Sequence, residues 1–350
     1  MMKRYFRPVP FAPEASLQDL PQGSRVLLAV TDRVGDALFR TPAIRILVRD
    51  YPHIQFDALA FGREAHTVLS QHPDLRNVLL LTQNRAIADL ARNYNLIINT
   101  RSSNVRRFLS KVQTPIIQHR RIDRNIHKTE DLLRFVQELL PQPQKLTLDD
   151  RKYILPVDTK VEESMRHKLY HHCSVKPEQN SLIGLQVGCA SVRKHKLFFS
   201  TQAIINHKKV WSVHQFARLA QMLMYADPGR KILVLGSPEE NFLCQRLVTQ
   251  VPGVMNTCPD LSLMEMTALI NRLDLLICND SGPMHVACAQ QTPVLALCGP
   301  TDPQRTGPFP DLPQFEIIKR KSMRKIGVRE VWTKAEDILA RDLSVRTKVA

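Results

Sequence analysis

The sequence predicts an α/β protein of two doubly wound domains, each a parallel sheet covered by helices on both faces. Three observations predict it. Short apolar runs alternate with segments of helical periodicity from residue 25 onward, and strands buried on both faces read as continuous apolar runs. The pattern pauses over residues 141–160, rich in Pro, Asp and Lys, and then restarts. The chain has 350 residues, enough for two ordinary domains.

In the first half, residues 25–31 (RVLLAVT) are a buried strand. Residues 36–51 are a helix, with Ile44, Leu47, Val48 and Tyr51 at helical spacing. A strand at 55–61, a helix at 64–71, a strand at 78–81, a helix near 86–93 and strands at 96–99 and 115–118 follow. The second half offers four strands, 181–187, 231–235, 274–278 and 293–297, with helices between them. Ser262 with Glu265 three residues later is a capping box that opens a helix through Arg272. A last helix is expected over 333–343, before a basic tail. The expected division is an extension (1–23), an N-terminal domain (24–160), a C-terminal domain (161–330) and a tail (331–350). Two such domains facing each other place a cleft at the carboxyl ends of both sheets.

Lys and Arg outnumber Asp and Glu by 49 to 33, a net charge of +16. That surplus attracts polyanions: nucleic acid, an anionic membrane or phosphorylated substrates. The seven cysteines include no C-x-x-C pair, so the zinc signal is missing and buried free thiols are expected. The N-terminus is basic without an apolar core or cleavage-like site, which does not fit a secretory signal. No stretch approaches the ~18 apolar residues of a spanning helix. A cytoplasmic protein is expected, with peripheral contact to the anionic inner membrane.

The most informative stretch is 278–308, CNDSGPMHVACAQQTPVLALCGPTDPQRTGP. A strand ends at Cys278, a polar turn Asn279-Asp280-Ser281-Gly282 follows, and a helix opens with Pro283 in its first turn. His285 lies on that turn. Free N–H groups and the positive end of the helix dipole suit a phosphate or pyrophosphate there, and Gly282 permits close backbone approach. Asp280 either orients the turn or accepts a bond from a ligand hydroxyl. The next strand ends in Gly299-Pro300-Thr301-Asp302, on the same edge. An ordinary strand–turn–helix with a capping Asp is the plain alternative.

This segment resembles the signature of glycosyltransferase family 9, the bacterial heptosyltransferases: Asp280-Ser281-Gly282, His285, Pro293, Gly299-Pro300-Thr301 and Thr306-Gly307-Pro308 stand in the family's order. The N-terminal Arg33-Val34-Gly35-Asp36 and Thr41-Pro42-Ala43 are similar to the family's first loop and helix. Lys209-Val210-Trp211 is similar to its K-x-W. The resemblance implies the fold of two Rossmann-like domains known as GT-B. It also implies an inverting enzyme that moves a heptose from ADP-heptose to the lipopolysaccharide inner core.

By that resemblance Asp36 is the general base; the alternative is a helix cap. Lys209 neutralises the departing diphosphate. It stands 21 residues beyond Gly188, so an insertion near 193–207 is implied, and Lys194 or Lys196 is the alternative. Gly188 and Ser191, in the loop after strand 181–187, contact the donor phosphates, with Asp280, Ser281, Gly282, His285 and Thr301. Glu240, less so Glu239, holds ribose hydroxyls; the alternative is a pair of acids placed by the helix dipole. Arg101, Arg106, Arg107, Arg120 and Arg121 bind the acidic acceptor, since Arg pairs phosphate and carboxylate bidentately; a solvated face is the alternative. No cofactor and no metal is expected, because Lys209 and helix dipoles supply positive charge and no D-x-D triplet is evident.

Three other readings compete. One is a sister transferase with another nucleotide sugar. One is a basic nucleic-acid-binding protein, against which the basic stretch lacks interleaved aromatics and any recognition signature. The third is a transferase fold reduced to a scaffold, against which Asp36, Asp280 and His285 are present.

Overall fold

The computed structural model describes residues 16–30, 33–81, 91–100, 112–119, 123–176, 180–189 and 208–341. They fall into two units, one within Met1–Asp123 and Thr129–Asp150, the other within Arg124–Lys128 and Arg151–Ala350.

The first unit contains β1 (Arg25–Ala29), α1 (Val34–Leu38), α2 (Thr41–Asp50), β2 (Gln55–Ala60), α3 (Arg63–Leu69), β3 (Asn77–Leu80), β4 (Leu96–Asn99), β5 (Ile116–Gln118) and α4 (Lys128–Gln137). Among the described residues its strands lie in the order β3-β2-β1-β4-β5, all parallel. Chain order reverses between β1 and β4, the topological switch point of such a sheet. Leu27, Ala29, Leu59 and Ile97 pack with Ala91 and Tyr94. The helix expected over 36–51 is two helices. Pro42 has no N–H to reach the Leu38 carbonyl four residues back, and the Thr41 hydroxyl donates to that carbonyl instead, at 2.9 Å. The expected helix near 86–93 lies mostly outside the described residues.

At the amino-terminal side of this sheet, Asp57 is fully buried. Its carboxylate accepts from Arg76 (2.8 and 3.1 Å), Arg25 (3.1 Å), Tyr94 (2.8 Å) and Asn77 (3.3 Å). Burial alone raises its pKa, but the bonds from Arg76, Tyr94 and Arg25 outweigh it and hold the group below the usual range. A buried charge is tolerated only with such pairing.

The second unit contains α5 (Thr159–Cys173), β6 (Ser181–Gln186), α6 (Val213–Ala226), β7 (Arg230–Leu235), α7 (Asn241–Gln250), β8 (Met255–Asn256), α8 (Leu263–Arg272), β9 (Leu275–Asn279), α9 (Gly282–Ala289), β10 (Val294–Cys298), α10 (Pro303–Thr306), β11 (Phe315–Lys319) and α11 (Val328–Leu339). The sheet runs β11-β10-β9-β6-β7-β8, all parallel. This is the dinucleotide-binding strand order, with its switch point between β6 and β9. Leu185, Val234, Ile277 and Leu297 pack against Phe216, Leu247, Val331 and Ile338 from the helices.

The four expected strands are β6, β7, β9 and β10; among the described residues β8 and β11 join them in the sheet. β8 is two residues long, and β11 is an edge strand with Ile317 exposed, so neither presents a sustained apolar run. The last helix starts at Val328, after Gly327, and buries Val328, Val331, Ala335 and Ile338. Its apolar stripe begins five residues before the expected start. The capping box is as expected: the Ser262 N–H donates to Glu265 Oε2 at 2.8 Å and the Glu265 N–H to Ser262 Oγ at 3.3 Å. Among the described residues, no helix is long and apolar enough to cross a membrane, and all seven cysteines are free.

Candidate active site

Ligands bind open α/β sheets at the carboxyl ends of strands beside the switch point, and the sequence motifs converge there. In the second unit β6 delivers Gln186, Val187 and Gly188, and β9 delivers Asn279, Asp280 and Ser281. Gly282 then opens α9, with a proline in its first turn. Pro283 lacks an N–H, which costs nothing where the N–H has no intrahelical partner.

The two strand ends are cross-linked. Ser281 Oγ donates to Gln186 Oε1 at 2.9 Å. Asn279 Nδ2 donates toward the carbonyls of Val187 and Gly188, each at 3.1 Å. Lys209 reaches the same turn: its Nζ stands 3.5 Å from Asp280 Oδ2. The carboxylate is largely covered and the ammonium about one-third exposed. An ammonium and the N-terminus of a helix thus share one corner, the electrostatic arrangement that binds a diphosphate.

Glu240 stands beside Gly188. It is buried, and its Oε2 accepts the Ser237 N–H at 2.8 Å. A Cβ on Gly188 would lie 2.3 Å from Glu240 Oε1, so only glycine fits while the carboxylate holds this place. Glu240 therefore braces the turn after β7 as well as facing the β6 loop. Thr301 follows β10, and Lys319 Nζ donates to the carbonyls of Gly299 and Thr301. Cys298 lies beneath: burial and then Asp280 push its thiol up to about 12, against Lys319, Thr301 and Lys209. His285 is buried on α9, edge-on to Tyr153 with ring centroids 6.5 Å apart.

Gly188, Lys209, Glu240, Asp280, Ser281, Gly282, His285 and Thr301 thus all belong to the carboxyl edge of one sheet. Ser191 lies outside the described residues, as do the alternatives Lys194 and Lys196. So do all five candidate acceptor residues, Arg101, Arg106, Arg107, Arg120 and Arg121.

In the first unit Asp36 is the third residue of α1, the helix that follows β1, and is half-buried. The N-cap position belongs to Arg33, which makes no side-chain cap bond. The helix is tied to the switch point by Arg40, which is buried. Its guanidinium donates to the Asp36 carbonyl, to Thr100 Oγ1 at 2.8 Å and to the Thr100 carbonyl at 2.8 Å. The Thr100 hydroxyl donates in turn to the Ala29 carbonyl at 2.9 Å. Arg40, Asn279 and Gln186 were not singled out from the sequence for these contacts. Apart from the Asp36 carbonyl, their partners are groups far away in sequence, which leave no local signal. Among the described residues no group of three or more His, Cys, Asp or Glu side chains converges as metal ligands do.

Comparison with known proteins places the fold and the family. Residues 150–326, just over half of the chain, match glycosyltransferase family 9 (heptosyltransferase). The lipooligosaccharide heptosyltransferase 2 of Haemophilus influenzae is 32% identical over 130 residues, a stretch that spans 34% of this chain and 37% of that protein. Two solved structures share the fold. A family 9 glycosyltransferase from Veillonella parvula has a TM-score of 0.73 at 21% identity, covering 90% of this chain and 97% of that one. The ADP-heptose lipopolysaccharide heptosyltransferase II of E. coli has a TM-score of 0.69 at 18% identity, covering 90% and 98%. The fold is the GT-B type built from two Rossmann-like domains, and the chain belongs to glycosyltransferase family 9, the heptosyltransferases.

Proposed function

We propose that this protein is an inverting glycosyltransferase that moves a heptose from ADP-heptose to the lipopolysaccharide inner core. The observation that carries the reading is the corner where Lys209 meets Asp280 at the start of α9, a site formed for a diphosphate within a family of heptosyltransferases. A relative bears the name lipooligosaccharide heptosyltransferase, and a structural neighbour is named for ADP-heptose.

In this reading the C-terminal domain, residues 161–330, holds the donor. The Gly188–Ser191 loop, Ser281, Gly282, His285 and Thr301 surround the phosphates, and Glu240 meets the ribose. The N-terminal domain, residues 24–160, holds the acceptor, with Arg101, Arg106, Arg107, Arg120 and Arg121 toward its acidic groups. Asp36 takes the proton of the acceptor hydroxyl as its oxygen attacks the anomeric carbon. The bond from that carbon to the diphosphate breaks on the opposite face, and ADP leaves with the electron pair. Lys209 and the α9 N–H groups balance the negative charge that develops there. No metal has a role, since the lysine and the helix supply that positive charge. The enzyme works at the cytoplasmic face of the inner membrane, in peripheral contact with it.

The test is a transfer assay with ADP-heptose and a heptose-less inner-core acceptor. Positioned proton transfer is worth about 10²–10⁴ in rate, so Asp36→Ala is expected to retain less than a tenth of wild-type turnover with ADP affinity unchanged. Activity is expected to persist in EDTA. A brisk Asp36→Ala enzyme would remove the base assignment, and full loss on chelation would remove the metal-free account. Transfer from another nucleotide sugar in preference to ADP-heptose would replace the donor.

A further inference from the structure

Asn279 closes β9 at the switch point and is fully buried. Its side chain is used at both ends. The Oδ1 accepts the Trp211 N–H at 3.0 Å. The Nδ2 faces three carbonyls, Val187 and Gly188 at 3.1 Å and Gln186 at 3.4 Å. An amide carries two N–H bonds, so its donor capacity is taken up. One side chain therefore joins three separate stretches: the end of β9, the loop after β6, and the segment that carries Lys209. The indole of Trp211 anchors that segment a second time, donating from Nε1 to the Ile326 carbonyl at 3.0 Å. Lys209 is two residues before the clasped N–H, and its ammonium meets Asp280, the neighbour of Asn279.

We propose that Asn279 is a positioning residue for Lys209. Through the Trp211 backbone it fixes where the ammonium stands against the departing diphosphate, and its bonds to the loop after β6 hold the amide itself in place. The inference rests on the reading of Lys209 given above. The chemistry singles out asparagine. An aspartate of the same shape has no N–H for the three carbonyls and sets a negative charge against them. Alanine lacks both ends, and glutamine is longer by one methylene.

The experiment is a double-mutant cycle in the full-length enzyme, with kcat and donor KM measured for Asn279→Ala, Lys209→Ala and the pair, alongside melting temperature. Misplacement of a reacting group by about 1 Å costs up to about 10² in rate, so Asn279→Ala is expected to lower kcat by about 30- to 100-fold. Its donor KM should change by less than about fivefold. Because Asn279 acts through Lys209, the double variant should fall within about threefold of Lys209→Ala alone. Losses that multiply would overturn the proposal and leave Lys209 in its role. A Lys209→Ala enzyme within about threefold of wild type would instead overturn the reading of Lys209 itself. If Asn279→Ala does not fold, Asn279→Asp carries the same cycle; failure of both to fold would make Asn279 a scaffold residue and overturn the proposal as well.

Discussion

A single carboxylate, that of Glu265, does the work of a helix cap and of a tie between helices. Its Oε2 accepts the Ser262 N–H at 2.8 Å and Lys168 Nζ at 2.8 Å, and its Oε1 accepts the Ser164 hydroxyl. Burial raises its pKa, but Lys168, Ser164 and Ser262 outweigh that and bring it down to about 2 from an ordinary 4.5. The unfolded chain therefore binds more protons between those two values, and stability rises with pH across that window. The contribution is fully present above pH 4.5, is lost as pH falls toward 2, and is on the order of 3 kcal/mol. Glu265→Gln keeps the reach of the capping box and loses the charge. It is expected to lower the urea midpoint at pH 7, with the gap to wild type closing as pH falls toward 2. A gap that stays constant with pH would show that charge plays no part. Half of this arrangement was legible: Ser262 and Glu265 are three residues apart, whereas Ser164 and Lys168 lie about a hundred residues away and give no sign of their partner. The same limit hid Asn279 and Arg40, while the Asp280-Ser281-Gly282 turn, a local pattern, was plain.

The elements most legible in the sequence are strands buried on both faces, because the side chains along their middles are mostly apolar. β6 shows the packing that results. Gly184 is paired on one side to β7 and on the other to β9. A Cβ added there would lie 2.5 Å from Leu273 Cδ1 and 2.8 Å from Leu235 Cδ1. Such overpacking costs about 1–3 kcal/mol, more than the few tenths to 1 kcal/mol gained by removing a glycine from the unfolded chain. Gly184→Ala is thus expected to lower the melting temperature by about 2–6 °C, with ADP affinity unchanged because the site lies beyond the end of the strand. A rise in melting temperature would mean that the two leucines swing aside at no cost. Elements that lack continuous burial were harder to read. β11 leaves Ile317 exposed at the sheet edge, β8 is only two residues long, and the join between α1 and α2 depends on one missing N–H at Pro42.

At the scale of the whole molecule the dominant quantity is charge, +16 at pH 7. Part of it is gathered on the second unit. Lys321, Arg324, Lys325 and Arg329 are all exposed between β11 and the first turn of α11, and none of the four has an ion-pair partner among the described residues. A basic cluster near an anionic lipid surface contributes about 1 kcal/mol per side chain, decaying over a Debye length. Such a cluster would hold the enzyme at the leaflet where a lipid-linked acceptor is presented. The prediction is that the protein sediments with vesicles containing phosphatidylglycerol, not with neutral ones, and is released as salt rises from ~0.05 to ~0.5 M. Replacing all four residues with glutamine should weaken this binding by about two to three orders of magnitude. Turnover on a detergent-dispersed acceptor should be unaffected. Equal binding by the quadruple variant would move the membrane contact elsewhere on the chain. Tighter binding to random duplex DNA than to the vesicles, with a steep salt dependence, would instead favour nucleic acid as the partner that this charge serves.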